Sequence, residues 1–350
     1  TASQIISGSS PMLFDGIVAI SGVISISNLN NVTITGNLTG SVTGSTWING
    51  ANSTLKAGNA VLANGTLNAT ASGNTVIYSR NGTQTVKPTT YYNLHLGGTS
   101  AKTTSGITVN NILKMEGTAT ATVAPTYGAG ASLRYDRTDA QIAGAEWPVT
   151  FSGTGGVKIE NTGVITLNNA KTISNGLTIA SGASINLSTF ENTAGTLTLG
   201  SDGTVSGSWG SSGSVANNQN DIFFAVSTGY INVTNSSCAT PLAPKTTGAF
   251  ICIGSTATLS ASGAETGQKY KWYSAVTGGT LLKTSADNLD NTFTTPVLPT
   301  STSYWVSILG NGGCESSRTQ VTATYPAVST NDQNAAGSNS WIGYVYDGTN

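Results

Sequence analysis

Between residues 157 and 199 five short apolar–polar–apolar units follow one another: Val157-Lys-Ile, Ile165-Thr-Leu, Leu177-Thr-Ile, Ile185-Asn-Leu and Leu197-Thr-Leu. Their starts lie 8, 12, 8 and 12 residues apart, so every second unit recurs at 20 residues. That period is the contour of one coil of a β-solenoid; a hairpin meander has no reason to keep it. Side chains alternate along a strand, which sends the outer two residues of each unit into the coil. The middle ones, Lys158, Thr166, Thr178, Asn186 and Thr198, are left in water. Comparable units stand at Ile24-Ser-Ile, Val32-Thr-Ile, Leu94-His-Leu, Ile107-Thr-Val and Ile231-Asn-Val. The repeat therefore predicts an all-β protein whose residues 1–237 form a β-solenoid, or parallel β-helix, of about eleven or twelve coils at roughly 20 residues each. Open solenoid ends template aggregation. Pro11-Met-Leu-Phe is the expected cap at one end, and Ile222-Phe-Phe-Ala-Val the expected seal at the other.

Composition agrees. Gly accounts for 43 of 350 residues and charged residues for only 8%. Such a chain is poor in the residues of exposed helix faces and rich in turn formers. A net charge of −1 removes the electrostatic footprint needed for nucleic acid. No apolar run reaches the roughly 20 residues of a membrane-spanning helix. Neither nucleic acid nor membrane insertion is expected.

Charge is concentrated in one place, SLRYDRTDAQIAGAEWP at 132–148, which sets the question of a catalytic site. Arg134, Asp136, Asp139 and Glu146 are the residue types of a carboxylate pair or of a calcium-assisted solenoid lyase. The stretch nevertheless shares a frame with residues 75–96: Tyr78 precedes Gln84 as Tyr135 precedes Gln141, and an aromatic follows in both. The acids are not part of that frame, so we expect surface turns whose charges pair with one another. His95, the only histidine, lies between two inward leucines and should face outward, with no second ligand for a metal. Asp287-Asn-Leu-Asp-Asn lacks the acidic spacing of a calcium loop and reads as a turn. No catalytic residue, cofactor site or metal site is expected.

From Pro241 the texture changes to longer strand patterns, at Ala257-Thr-Leu-Ser-Ala, Tyr270-Lys-Trp-Tyr, Thr292-Phe-Thr-Thr, Ser303-Tyr-Trp-Val-Ser-Ile and Gln320-Val-Thr-Ala-Thr-Tyr. Residues 238–327 should form an Ig-like β-sandwich with Trp272 in its core. The three cysteines, Cys238, Cys252 and Cys314, all fall in this last third, as in an oxidising compartment. Cys252 precedes the strand at 257–261 and Cys314 falls in the turn before the last strand, so a Cys252–Cys314 disulfide is expected, with Cys238 unassigned.

The phrases CIGSTATLSASG, YKWYSAVTGGTLL, FTTPVLPTSTSYWVS and GCESSRTQVTATY resemble the Ig-like modules of large secreted surface proteins of Bacteroidota, the substrates of type IX secretion. GTQTVKPTTYYNLHLGG and AQIAGAEWPVTF are similar to solenoid repeats of the same proteins. WIGYVYDGTN resembles the start of a protective-antigen-like module, so that residues 328–350 would be a linker and the first strand of a further β-domain, with the polypeptide continuing past Asn350. The resemblance implies an extracellular, cell-surface adhesin or stalk, exported by the type IX machinery and connected with gliding or surface attachment. It implies no enzyme. Surface glycans are the implied contact, and a polysaccharide-binding or polysaccharide-degrading β-helix is the alternative.

Overall fold

The computed structural model describes residues 3–252 and 254–325. It is all-β, and the chain divides into two units, Thr1–Ser237 and Cys238–Asn350. The expected strand at 328–350 lies outside the described residues.

The first unit is the solenoid. One parallel ladder runs in register through Met12, Val32, Leu55, Val76, Leu94, Leu113, Leu133, Val157, Leu177 and Leu197. The step between neighbours ranges from 18 residues, Val76 to Leu94, to 24, Leu133 to Val157. The predicted 20-residue step holds from Val157 through Leu177 to Leu197, and the companion unit Ile165 stacks on Ile185 in the same way. A second inward column, two residues on, carries Ile34, Ala57, Tyr78, Leu96, Met115, Tyr135, Ile159 and Ile179, all essentially buried. Full burial of each such side chain is worth about 1.5–3 kcal/mol, and every coil repeats it.

Several polar side chains inside the coils are satisfied by partners in neighbouring coils. Buried Asn28, Asn49 and Asn74 form a ladder, Asn28 Nδ2 donating to Asn49 Oδ1 at 2.8 Å and Asn49 Nδ2 to Asn74 Oδ1 at 3.3 Å. Lys102, also buried, donates from Nζ to the carbonyls of Arg80, Gly82 and Thr99 at 2.7, 3.0 and 3.2 Å. Burial, with the nearby Arg80 charge, pulls its pKa down to about 8.

In the first coils two separate sheets flank a turn, for example Ser25–Asn28 followed by Asn31–Ile34. In Thr90–Leu96, Thr108–Glu116, Thr172–Ile179 and Glu191–Leu199 they fuse into single long strands, while Thr126–Tyr127 and Ser132–Asp136, and Thr150–Phe151 and Gly156–Ile159, stay separate. A bulge falls where the face changes direction, between Tyr91 and Asn93 and again between Ile173 and Gly176. An extra residue there bends the strand and lets one segment serve two faces.

The ends differ from expectation. Met12–Phe14 is not a cap: it is the first rung, paired with Asn31–Ile34, and Leu13 is 67% exposed. It is an edge strand, and among the described residues nothing stacks beyond it. The regular ladder has ten rungs instead of eleven or twelve. After Glu191–Leu199 the chain turns back, and Gly207–Gly210 pairs antiparallel with Tyr230–Val233. At this end part of the aromatic segment covers a coil edge, while Ile222 and Val226 stay exposed. Phe224 is buried, and Ile185 donates to the Phe223 carbonyl while Ala225 donates to that of Ile185, closing the edge of Ser184–Asn186.

The second unit is the Ig-like sandwich. Lys245–Thr247, Thr258–Ser262 and Thr292–Thr294 make one antiparallel sheet. The other is ordered Ala249–Phe250, Thr319–Thr324, Thr302–Leu309, Lys269–Tyr273, Leu281–Thr284, with only its first pair parallel. Trp272 is fully buried and stacks on Phe293 at 5.5 Å.

The disulfide joins Cys238 to Cys314, and Cys252 is a free, exposed thiol. This corrects the expected Cys252–Cys314 bond. Phe250 pairs with Thr324, at the far end of the strand that follows Cys314, and Gly254 donates to the Leu298 carbonyl at that same end. Cys314 lies at the opposite end, where Gly310 donates to its carbonyl and its residues approach Pro241. A strand of six residues rises about 3.3 Å per residue, so the Cys252 and Cys314 backbones lie much further apart than the roughly 7 Å a disulfide tolerates. Cys238 begins the unit at the Cys314 end, with a Cα–Cα distance of 5.8 Å.

Candidate functional site

The outward face of the long sheet follows from the same alternation that fills the core. Between the two inward columns stands an outward one: Thr33, Lys56, Ile77, His95, Lys114, Arg134, Lys158, Thr178 and Thr198. His95 therefore faces out, as expected. Just past the second inward column stand Glu116 and Asp136, paired in register, and Glu160.

These two columns interlock across coils. Glu116 Oε1 lies 3.4 Å from His95 Nδ1 and 3.2 Å from Lys114 Nζ. Lys114 Nζ also meets Asp136 Oδ2 at 2.5 Å, and Arg134 Nη1 meets Glu160 Oε1 at 3.2 Å. Each acid thus holds the base of the preceding coil. The contact with His95 draws Glu116 below the usual carboxylate range despite its partial burial, and the Lys114 hydrogen bond does the same to Asp136. Burial works against the charge of Lys114, but its two carboxylate partners outweigh this and raise its pKa. Solvent screens such half-exposed pairs, so each contributes at most about 1 kcal/mol.

The charged stretch at 132–148 is divided by this arrangement. Arg134 and Asp136 belong to the outward ladder, and Asp139 is an exposed turn residue. Glu146 is wholly buried, contrary to its expected place on a surface turn. Its carboxylate accepts from the Tyr135 hydroxyl at 3.0 Å, Gly144 N at 2.8 Å and Ala121 N at 3.3 Å. Arg137 is buried too, donating to the Gly117 carbonyl, and Lys171 donates to the Trp147 carbonyl. The three acids therefore do not converge. The frame shared with residues 75–96 explains the burial: Gln84 and Gln141 each donate to a carbonyl of the preceding coil, Ala57 and Ala119. Where Tyr78 meets the Tyr91 hydroxyl at 3.0 Å, Tyr135 meets Glu146, beside Trp147. Glu146 occupies a core position that its residue type disguised.

Beyond Lys158 the outward face becomes neutral and concave. Thr154, Ser174, Asn175, Thr178, Thr196 and Asn235 line an open trough crossing successive coils. Gly155, Gly176 and Gly195 line it as well. The bulge between Ile173 and Gly176 bends the sheet there, and Asn175 is held as a wall by donating from Nδ2 to the carbonyls of Ser152 and Gly153 at 3.2 and 3.3 Å. Gly156 packs its backbone closely against Gly176 of the next coil. Gly156 adopts a φ of +67°, and a Cβ there would meet the Gly176 carbonyl. No cluster of three or more metal-ligating side chains occurs among the described residues.

In the second unit Asp287 is a turn residue, its Oδ1 accepting from Leu289 N and Asp290 N at 2.8 and 3.0 Å, while Asp290 pairs with Lys283. On the outer face of the five-stranded sheet Glu315 accepts from Lys271 at 2.9 Å, Tyr273 at 2.7 Å and Ser307 at 2.6 Å. The Arg318 guanidinium sits over the Tyr273 ring at 3.3 Å.

Residues 241–326 match the family described as Ig-like domain, CHU_C associated. The match covers the sandwich and leaves the solenoid outside it. Comparison with curated proteins finds no match. The chain thus combines a β-solenoid with an Ig-like domain of the CHU_C-associated kind. That domain and its disulfide are consistent with an extracellular protein.

Proposed function

We propose that this chain is a non-catalytic extracellular stalk or adhesin, carried to the cell surface by type IX secretion and serving surface attachment or gliding. The observation that carries the reading is the fate of the outward carboxylates. Glu116, Asp136 and Glu160 are each engaged by a base of the preceding coil, so the solenoid's charged face is a self-neutralised ladder that stiffens a rod. A carboxylate pair left free to act as acid and base is the opposite arrangement. The Ig-like domain, with its disulfide, supports an extracellular setting.

The test is a reducing-end assay run beside a glycan array. The proposal predicts no release of reducing or unsaturated ends from any polysaccharide on the array. Release that disappears in Asp136→Asn would contradict it and favour a polysaccharide-degrading solenoid.

A further inference from the structure

We infer that the hydroxyl-lined trough, together with Lys158, is a subsite for an acidic glycan, one whose sugars carry carboxylate or sulfate groups. The inference rests on the reading of the solenoid as a contact surface and names its ligand class.

Two independent features meet at this point of the fold. The first is the trough itself. Hydroxyl and amide side chains, Thr154, Ser174, Asn175, Thr178 and Thr196, line it together with the half-buried Gly155 and Gly176. At about 4.8 Å per strand spacing, the three coils they come from span roughly 10 Å, enough for neighbouring units of an extended chain. Hydroxyls that both donate and accept suit the hydroxyls of sugars, and glycine backbone permits close approach.

The second feature is where the ion-pair ladder stops. His95, Lys114 and Arg134 each have an acid from the next coil. For Lys158 the corresponding position is Ala180, since the Ala180 amide donates to the Ile159 carbonyl just as that of Glu160 donates to the Tyr135 carbonyl. Lys158 has no acid within ion-pairing distance among the described residues. It pairs in register with Thr178, which lines the trough. An unneutralised ammonium on the strand next to Thr178, and so beside a hydroxyl-lined trough, selects for an anion carried on a polyhydroxylated chain. Lys56 stands in the same outward column, also without an acid partner, but several coils away from the trough, which makes it the internal control.

The experiment measures binding of the full chain to polygalacturonate, dextran sulfate and uncharged dextran, at low and at physiological salt, with reducing ends assayed in the same samples. The expected result is binding to at least one charged polymer, weakened by salt, with dextran about tenfold weaker or worse. Lys158→Ala and Thr178→Glu should each weaken that binding by about tenfold, whereas Lys56→Ala should leave it within about twofold. All three positions face outward, so unchanged melting of the variants confirms that they fold. Equal binding of dextran, no binding of either charged polymer, or equal losses in Lys56→Ala and Lys158→Ala would overturn the inference. Release of reducing ends with the Lys158 dependence intact would support the subsite while sinking the non-catalytic reading.

Discussion

Neighbouring residues 177 and 178 should respond in opposite ways to the same truncation. Leu177 is 1% exposed and sits in the inward column between Val157 and Leu197, while Thr178 points outward beside Lys158 and Thr198. Leu177→Ala removes the equivalent of three buried carbon groups, about 2.4 kcal/mol of transfer free energy at roughly 0.8 kcal/mol each. Columns above and below hold the coil in place, so the cavity cannot collapse, and the total should reach about 3–4 kcal/mol. Thr178→Ala should cost under about 0.5 kcal/mol. Met12, 37% exposed on the first rung with nothing among the described residues stacked beyond it, should cost only about 1 kcal/mol on the same change. Urea titration of the full chain, following the solenoid transition by circular dichroism, measures all three. Comparable losses for Leu177→Ala and Thr178→Ala would refute the alternation on which the fold argument stands.

Reduction of the Cys238–Cys314 bond should destabilise the Ig-like unit by up to about 4.5 kcal/mol in the chain-entropy picture for a separation of 76 residues, leaving the solenoid transition unchanged. Native alkylation should label Cys252 alone, and mass mapping checks this. Glu146→Ala should cost about 3 kcal/mol, because the Tyr135 hydroxyl and two backbone amides lose their acceptor, and Glu146→Gln should cost less; thermal melts distinguish them. Glu116 and Asp136 have depressed folded-state pKa values, so their contribution is present above the unfolded carboxylate pKa of about 4 and is lost as pH falls through the folded values. Lys114→Met should remove most of the Asp136 part of the acid dependence and leave the part of Glu116 held by His95, an effect that fades in high salt.

The inward columns were legible because β alternation and a 20-residue period act on the same few residues: Val157, Leu177 and Leu197 announce both strand and coil. Lys158, Thr178 and His95 were placed by the same rule. What escaped was whatever depends on a neighbour far away in sequence. Glu146 reads as a surface acid until Tyr135, Gly144 and Ala121 close around it. The cysteine pairing needed to know which end of the sandwich each thiol occupies, and Phe250 paired with Thr324 decides that only in three dimensions. Met12-Leu-Phe reads as a cap because three consecutive apolar residues hide which of them point into the coil, and only the pairing with Val32–Ile34 reveals a rung. The interlock of Glu116 with His95 was out of reach because it depends on coil lengths of 18 to 24 residues, which set the register.

The most direct measurement of the coil itself is a cross-link between register partners. In a Cys252→Ser background, T178C/T198C places two thiols on adjacent strands that face the same way, at the separation of parallel neighbours, whereas K158C/T198C places them two strands apart. Mass mapping after mild oxidation should find the introduced disulfide in the first variant and none in the second. A cross-link in the second, or in neither, would contradict a twenty-residue coil stacked in register.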